Sequence, residues 1–180
     1  MPVAPLAQLD RASDYESEGR EFESLRAHHF ASDDERLMAE ALAEAQRAFD
    51  AGEVPIGAVI TRDGAIIGRA HNAPIALTDP TAHAEVLALR HAASATGNYR
   101  LTGATLYVTV EPCAMCCGAV IQARLARIVY GAVDAKAGAV ESLYRLLDDR
   151  RMNHRVTSAG GVLATESAAL LKAFFETKRR

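Results

Sequence analysis

Cysteine is scarce in this chain, and what there is lies in one place: Cys113, Cys116 and Cys117 fall within five of its 180 residues. An odd number of thiols in one segment cannot build a disulfide framework, which favours metal binding or catalysis over cross-linking and leaves a redox pair or core packing as the alternatives. No apolar run reaches the roughly 18 to 20 residues of a membrane span, and no basic start leads into an apolar stretch. Neither a span nor a secretion signal is expected, and the chain reads as cytoplasmic. Internal repeats are missing, as are the P-loop and the Gly-x-Gly-x-x-Gly fingerprint, so no Gly-rich phosphate cradle is on offer. What is present is 49% hydrophobic and 24% charged residues, enough for one domain with a real core.

From Ser32 onward, helices and strands alternate. "SDDERLMAEALAEAQRAFDAG" starts with capping-box spacing at Ser32 and Glu35, and Leu37, Ala41, Leu42, Ala45 and Phe49 recur at helical period up to Gly52. "VPIGAVIT" and "AIIGRAH", joined by the turn signal "RDG", predict a hairpin over Val54 to His71. A loop, "NAPIALTDPT", leads to the helix "AHAEVLALRHAASATG", closed by Gly97. "ATLYVTV" is fit for a buried strand, "CAMCCGAVIQARL" for a helix, "RIVYGA" for the next strand, and "TESAALLKAFFETKRR" for a closing amphipathic helix with a cationic end. That order predicts a three-layer α/β domain with parallel pairing in its second half.

On this map Cys113 stands where a strand ends and a helix begins, with Cys116 one turn on, so both sulfurs can face one point. Cys117 is rotated about 100 degrees away. A helix N-terminus favours thiolate, the form a metal needs. In "TAHAE", His83 and Glu85 are expected in the first turn of the preceding helix. Two helix starts on one sheet can face each other across a shallow cleft. One imidazole and two thiolates then make a three-ligand zinc site with an open fourth position, the arrangement of a catalytic centre. The pairing of His-x-Glu with a downstream Pro-Cys-x-x-Cys is the signature of zinc nucleobase deaminases.

Beyond that signature, "EVPIGAV", "HN" before "DPTAHAE", "NYRLTGATLYVTVEPCAMC", "GAVDAKAGAV" and "MNHRV" resemble the bacterial tRNA-specific adenosine deaminases from about Met38 to the C-terminus. Members of this family convert the wobble adenosine of an arginine tRNA, anticodon ACG, to inosine with release of ammonia. The resemblance implies a cytidine deaminase-like α/β/α fold around a mixed five-stranded sheet, and one zinc ion held by His83, Cys113 and Cys116. It implies that Glu85 carries protons between water, the base and the leaving amine, and that Asn72 and the backbone of Ala84 seat the flipped base. The loop Asp134 to Gly138, with Asp134 and Lys136, and the closing helix, with Phe174, Phe175, Lys178, Arg179 and Arg180, match the parts that embrace the anticodon arm. A homodimer is implied as well. Where the family often has Ala after its second zinc cysteine, this chain has Cys117. Two rivals share part of the pattern. A free-base deaminase such as a guanine deaminase needs no anticodon-gripping loop, and a non-catalytic zinc-binding protein needs no Glu85.

The net charge of −3 is low for an RNA enzyme, but the first 37 residues hold nine acids and four Lys or Arg, leaving 16 positive against 14 negative in residues 38–180. That balance suits a grip on one stem-loop. Residues 1–37 read as a disordered leader before a deaminase domain at 38–180. Its codons can spell tRNA: "SDYESE" accommodates TCT GAC TAC GAA TCA GAG, an anticodon arm reading ACG, while "EFES" fits a T loop, "AQLDRA" a D arm and "AHH" a terminal CCA. The expectation is that residues 1–29 translate an upstream arginine-tRNA gene through a misplaced start, with Met38 the authentic one.

Overall fold

A computed structural model of the chain describes residues 33–179. Residues 1–32 of the expected leader, the Ser32 cap among them, lie outside these residues. Helix α1 occupies residues 33–50, with Leu37, Met38, Ala41, Ala45 and Ala48 buried. Leu42 and Phe49, expected on that face, sit at its border. Strands β1 (Gly57–Arg62) and β2 (Ala65–His71) form the hairpin, and both residues of its two-residue turn, Asp63 and Gly64, have positive φ (52° and 77°). That pair of angles is the primed turn whose twist matches the strands, and Asp-Gly is among its preferred sequences.

A single helical turn, α2 (Pro74–Leu77), follows within what the sequence reads as loop. Helix α3 (Ala84–Thr96), strand β3 (Thr105–Val110), helix α4 (Ala114–Gln122) and strand β4 (Arg127–Ala132) come next, then a short β5 (Thr157–Ala159) and α5 (Ala164–Lys178). The sheet order is β2-β1-β3-β4-β5, with β1 antiparallel to both neighbours and β3, β4 and β5 parallel. The expected mixed five-stranded sheet is therefore present.

Strand alternation divides the core between two faces. Val59, Tyr107 and Val129 lie in one row across β1, β3 and β4 and pack against Leu37, Met38 and Ala41 of α1. Their neighbours Ala58, Ile60, Leu106, Val108, Ile128 and Tyr130 meet Ala84, Ala88, Leu89 and Ala92 of α3 and Cys117, Val120 and Ile121 of α4. Each large aliphatic side chain buried this way contributes about 1.5–3 kcal/mol. A polar clasp ties α1 to the sheet: Asp34, 8% exposed, accepts the Tyr107 hydroxyl at 3.0 Å and both Arg127 Nη groups at 2.8 and 2.7 Å. Asp34 and Leu37 are thus buried parts of the domain, on the leader side of the boundary expected at 38. Among the described residues no helix is long and apolar enough to cross a membrane.

Candidate active site

The C-terminal ends of β2 and β3 lie on the same side of the sheet, because β1 between them is antiparallel to both. The segments leaving those ends open α3 and α4, which brings two helix N-termini together with their positive dipole ends toward one spot. His83 is the N-cap of α3 and Cys113 the N-cap of α4, both in extended backbone conformation and neither using its side chain as a cap. His83 therefore stands just before the helix, not in its first turn as expected. An N-cap side chain that does not cap is free to point elsewhere, and these two point at each other.

His83 Nδ1 lies 3.8 Å from Cys113 Sγ and 3.6 Å from Cys116 Sγ, and the two sulfurs are 3.7 Å apart. These three form the one His/Cys/Asp/Glu group among the described residues whose ligand atoms all fall within 4.8 Å. The donor set fits zinc. A tetrahedral ion with nitrogen and sulfur ligands at about 2.1–2.3 Å has edges of about 3.5–3.8 Å, so the near-equilateral triangle matches one face and leaves a fourth corner open. The Cys113 thiol is lowered to about 4 by the Cys116 thiol and the imidazole, while Cys116 is pushed up because it holds the proton it donates to Cys113. His83 is raised, first by its contact with Cys113. Cys117 points away: its thiol donates to the Pro112 carbonyl at 3.7 Å inside the core, and burial pushes it up to about 12.

Glu85 follows in the first turn of α3. It is 4% exposed, and its Oε2 is buried without a hydrogen-bond partner. Burial pushes this carboxyl above its usual range. Native proteins bond nearly all buried polar atoms, so an orphaned carboxylate oxygen beside the His83, Cys113 and Cys116 triangle marks a place where a further group can bind.

The other expected residues are distributed unevenly. Asn72, 5% exposed, accepts the Ala84 backbone N–H through Oδ1 at 2.8 Å, which orients the amide and caps α3 from 12 residues away. The Ala84 amide, expected to help seat a substrate, is thus bonded within the protein, and Asn72 has its Nδ2 to offer. Asp134 Oδ1 accepts the N–H groups of Lys136 and Ala137, so this carboxylate shapes its own loop and holds up an exposed Lys136. Phe174, expected to contact substrate, is instead 5% exposed, packed edge-on against Phe49 at 5.7 Å and covered by Lys178. Phe175, 47% exposed, is the outward-facing one. Arg179 is exposed just past α5, which packs on β3 and β4. Arg180 lies outside the described residues.

Of the three buried glutamates that the sequence did not single out, Glu44, Glu53 and Glu111, the last two hold segments next to the site. Glu53, 2% exposed, accepts the Ala76 N–H at 2.8 Å and so holds α2, next to Asn72. Glu111, 3% exposed, accepts the backbone N–H groups of Asp134, Val140, Glu141 and Ser142 at 2.8–3.0 Å, together with the Ser142 hydroxyl. The available signal was an acid directly after a β-branched and aromatic run, "TLYVTVE", fit for a buried strand, where a charge needs several donors to persist.

With this geometry in place, the chain can be set beside known proteins. Residues 32–179 match the family model for MafB19-like deaminases. The tRNA-specific adenosine deaminase of Haemophilus influenzae is 48% identical over 147 residues, covering 81% of this chain and 85% of that protein. A solved structure from work on A-to-I editing by tRNA:A34 deaminases at the wobble position of transfer RNA superposes with a TM-score of 0.73 at 46% identity, over 75% of this chain and 98% of that one. The guanine deaminase of Bacillus subtilis is more distant, with a TM-score of 0.53 and 35% identity over 61% of this chain and 80% of that one.

Proposed function

Because the chain belongs to the tRNA-specific adenosine deaminase family, we propose that it converts the wobble adenosine of an arginine tRNA, anticodon ACG, to inosine by zinc-dependent hydrolysis, releasing ammonia. The observation that carries the chemistry is the unpartnered Glu85 Oε2 next to the His83, Cys113 and Cys116 triangle. His83 Nδ1 and the Cys113 and Cys116 sulfurs are the three protein atoms that would hold the metal. When bound, zinc supplies Lewis acidity that lowers the pKa of water from about 15.7 toward 7. Glu85 takes the first proton of the attacking water on its free oxygen and delivers it to N1 of the adenine ring, then takes the second proton from the hydroxyl now on C6 and gives it to the departing amine as the C6–N bond breaks. Its burial keeps bulk water from competing for that proton.

Asn72 is turned by the Ala84 bond so that its Nδ2 can donate to the flipped nucleoside. Lys136, raised on the Asp134 turn, and Arg179 offer charge to phosphates of the anticodon arm. With Phe174 buried, Phe175 is the aromatic available for stacking. The enzyme acts as a homodimer. Supporting this is a groove of ≈ 280 Å³ between α3 and α4, lined by Val86, Leu89, Ala93, Ala119 and Ala123 with Arg90 and Gln122, and by Tyr99, which is 66% exposed.

The test is inosine formation by the zinc-loaded chain on an ACG anticodon stem-loop, run beside the same stem-loop with another wobble base, free adenosine and guanine. Inosine on the first alone is expected. Ammonia from guanine with no inosine in RNA would move the assignment to a free-base deaminase. Sedimentation at twice the monomer mass is expected of the active form, and a strict monomer that still deaminates contradicts the dimer.

A further inference from the structure

Glu111 touches none of the reacting groups, yet it is the most heavily hydrogen-bonded carboxylate near the site. It directly follows β3, two residues before Cys113, and its side-chain partners all come from one segment, residues 134–142. Two further connections close the same seam. Ala139 N–H donates to the Pro112 carbonyl at 2.8 Å, and Cys113 pairs with Gly138 as an isolated antiparallel bridge. A side chain at Gly138 would collide with the Glu111 carboxylate and the Asp134 carbonyl, so the approach of the two segments requires glycine there. The tip of the same loop is rigid by its own means, through the Asp134 turn that carries exposed Lys136.

We propose that Glu111 is a positioning residue that fixes the 134–142 loop in register with the cysteine segment, so that the loop meets the anticodon arm already formed. The substrate half of this rests on the tRNA reading above. Such a clamp preorganises the loop. A loop clamped by charge-assisted bonds at its base has little ordering left to do on binding, so its anchor governs substrate capture more than the chemical step. Glu111→Gln is the sharp probe, because either amide orientation points an NH₂ at two or more of the five donors.

The experiment uses the full zinc-loaded chain with Glu111→Gln, Gly138→Ala, their double variant and Ser142→Ala, reading amide hydrogen exchange together with kcat and KM on the ACG stem-loop. In Glu111→Gln the amides of 134 and 140–142 are expected to exchange roughly tenfold faster or more. KM is expected to rise about tenfold, with kcat changed by less than about threefold and zinc retained. The double variant should be no worse than the worse single one, because both break the same seam. Should Glu111→Gln fail to fold, Gly138→Ala and the milder Ser142→Ala carry the test, with KM rising in the same sense. Unchanged exchange at 134 and 140–142 overturns the anchor. Faster exchange with unchanged KM, or a loss confined to kcat, overturns the positioning role. A wild-type chain that makes no inosine defeats the tRNA reading alone, and the exchange data still decide the anchor.

Discussion

Glu85 and Glu111 are both buried, at 4% and 3% exposure, and each lies two residues from a member of the His83, Cys113 and Cys116 triangle. Five donors converge on Glu111, whereas one oxygen of Glu85 has no partner at all. Burying an unpaired carboxylate costs several kcal/mol, and charge-assisted hydrogen bonds offset about 1.5–3 kcal/mol each. Glu111 therefore stabilises the fold, while Glu85 strains it in favour of whatever occupies the site. Two like residues at matching depth thus do opposite work, and the difference lies in their hydrogen-bond partners.

The sharpest break in this comparison comes from removing the triangle that Glu85 serves. Cys113→Ser should cost the metal and lower inosine formation by more than about a thousandfold, checked by zinc analysis and single-turnover assay. Glu111→Ala should leave five donors without an acceptor and destabilise the domain by roughly 3 kcal/mol in urea unfolding. Asp34→Ala tests the distant clasp on α1, where loss of the acceptor for Tyr107 and Arg127 should cost about 2 kcal/mol. The smallest effect belongs to Cys117→Ala, which should cost about 1 kcal/mol or less and leave zinc stoichiometry unchanged, setting it apart from its neighbour Cys116.

Legibility in the sequence followed the range of the interaction. Cys113 and Cys116 share a helical turn, so local geometry alone brings their sulfurs together, whereas His83 and Glu85 meet them only because β2 and β3 end on the same side of the sheet. Strands β3 and β4 announce themselves as buried β-branched runs. β5, "TSA", is a three-residue edge strand with two exposed residues and no apolar pattern, and α2 buries nothing, so neither had a periodicity to read. The donors on Glu111 are backbone N–H groups and one hydroxyl 23 to 31 residues downstream, which no side-chain spacing encodes. For adjacent Phe174 and Phe175 the helical period says that one turns inward, and only Phe49 across the fold decides which.

The most direct test is a paired measurement on Glu85→Gln, giving the rate of inosine formation on the ACG stem-loop and the thermal midpoint of the zinc-loaded protein. A rate lower by roughly 10²–10⁴-fold with a midpoint unchanged or higher is expected, because the proton carrier is lost and a strained buried charge goes with it. A midpoint that drops while the rate holds would make Glu85 a structural residue like Glu111 and contradict the account.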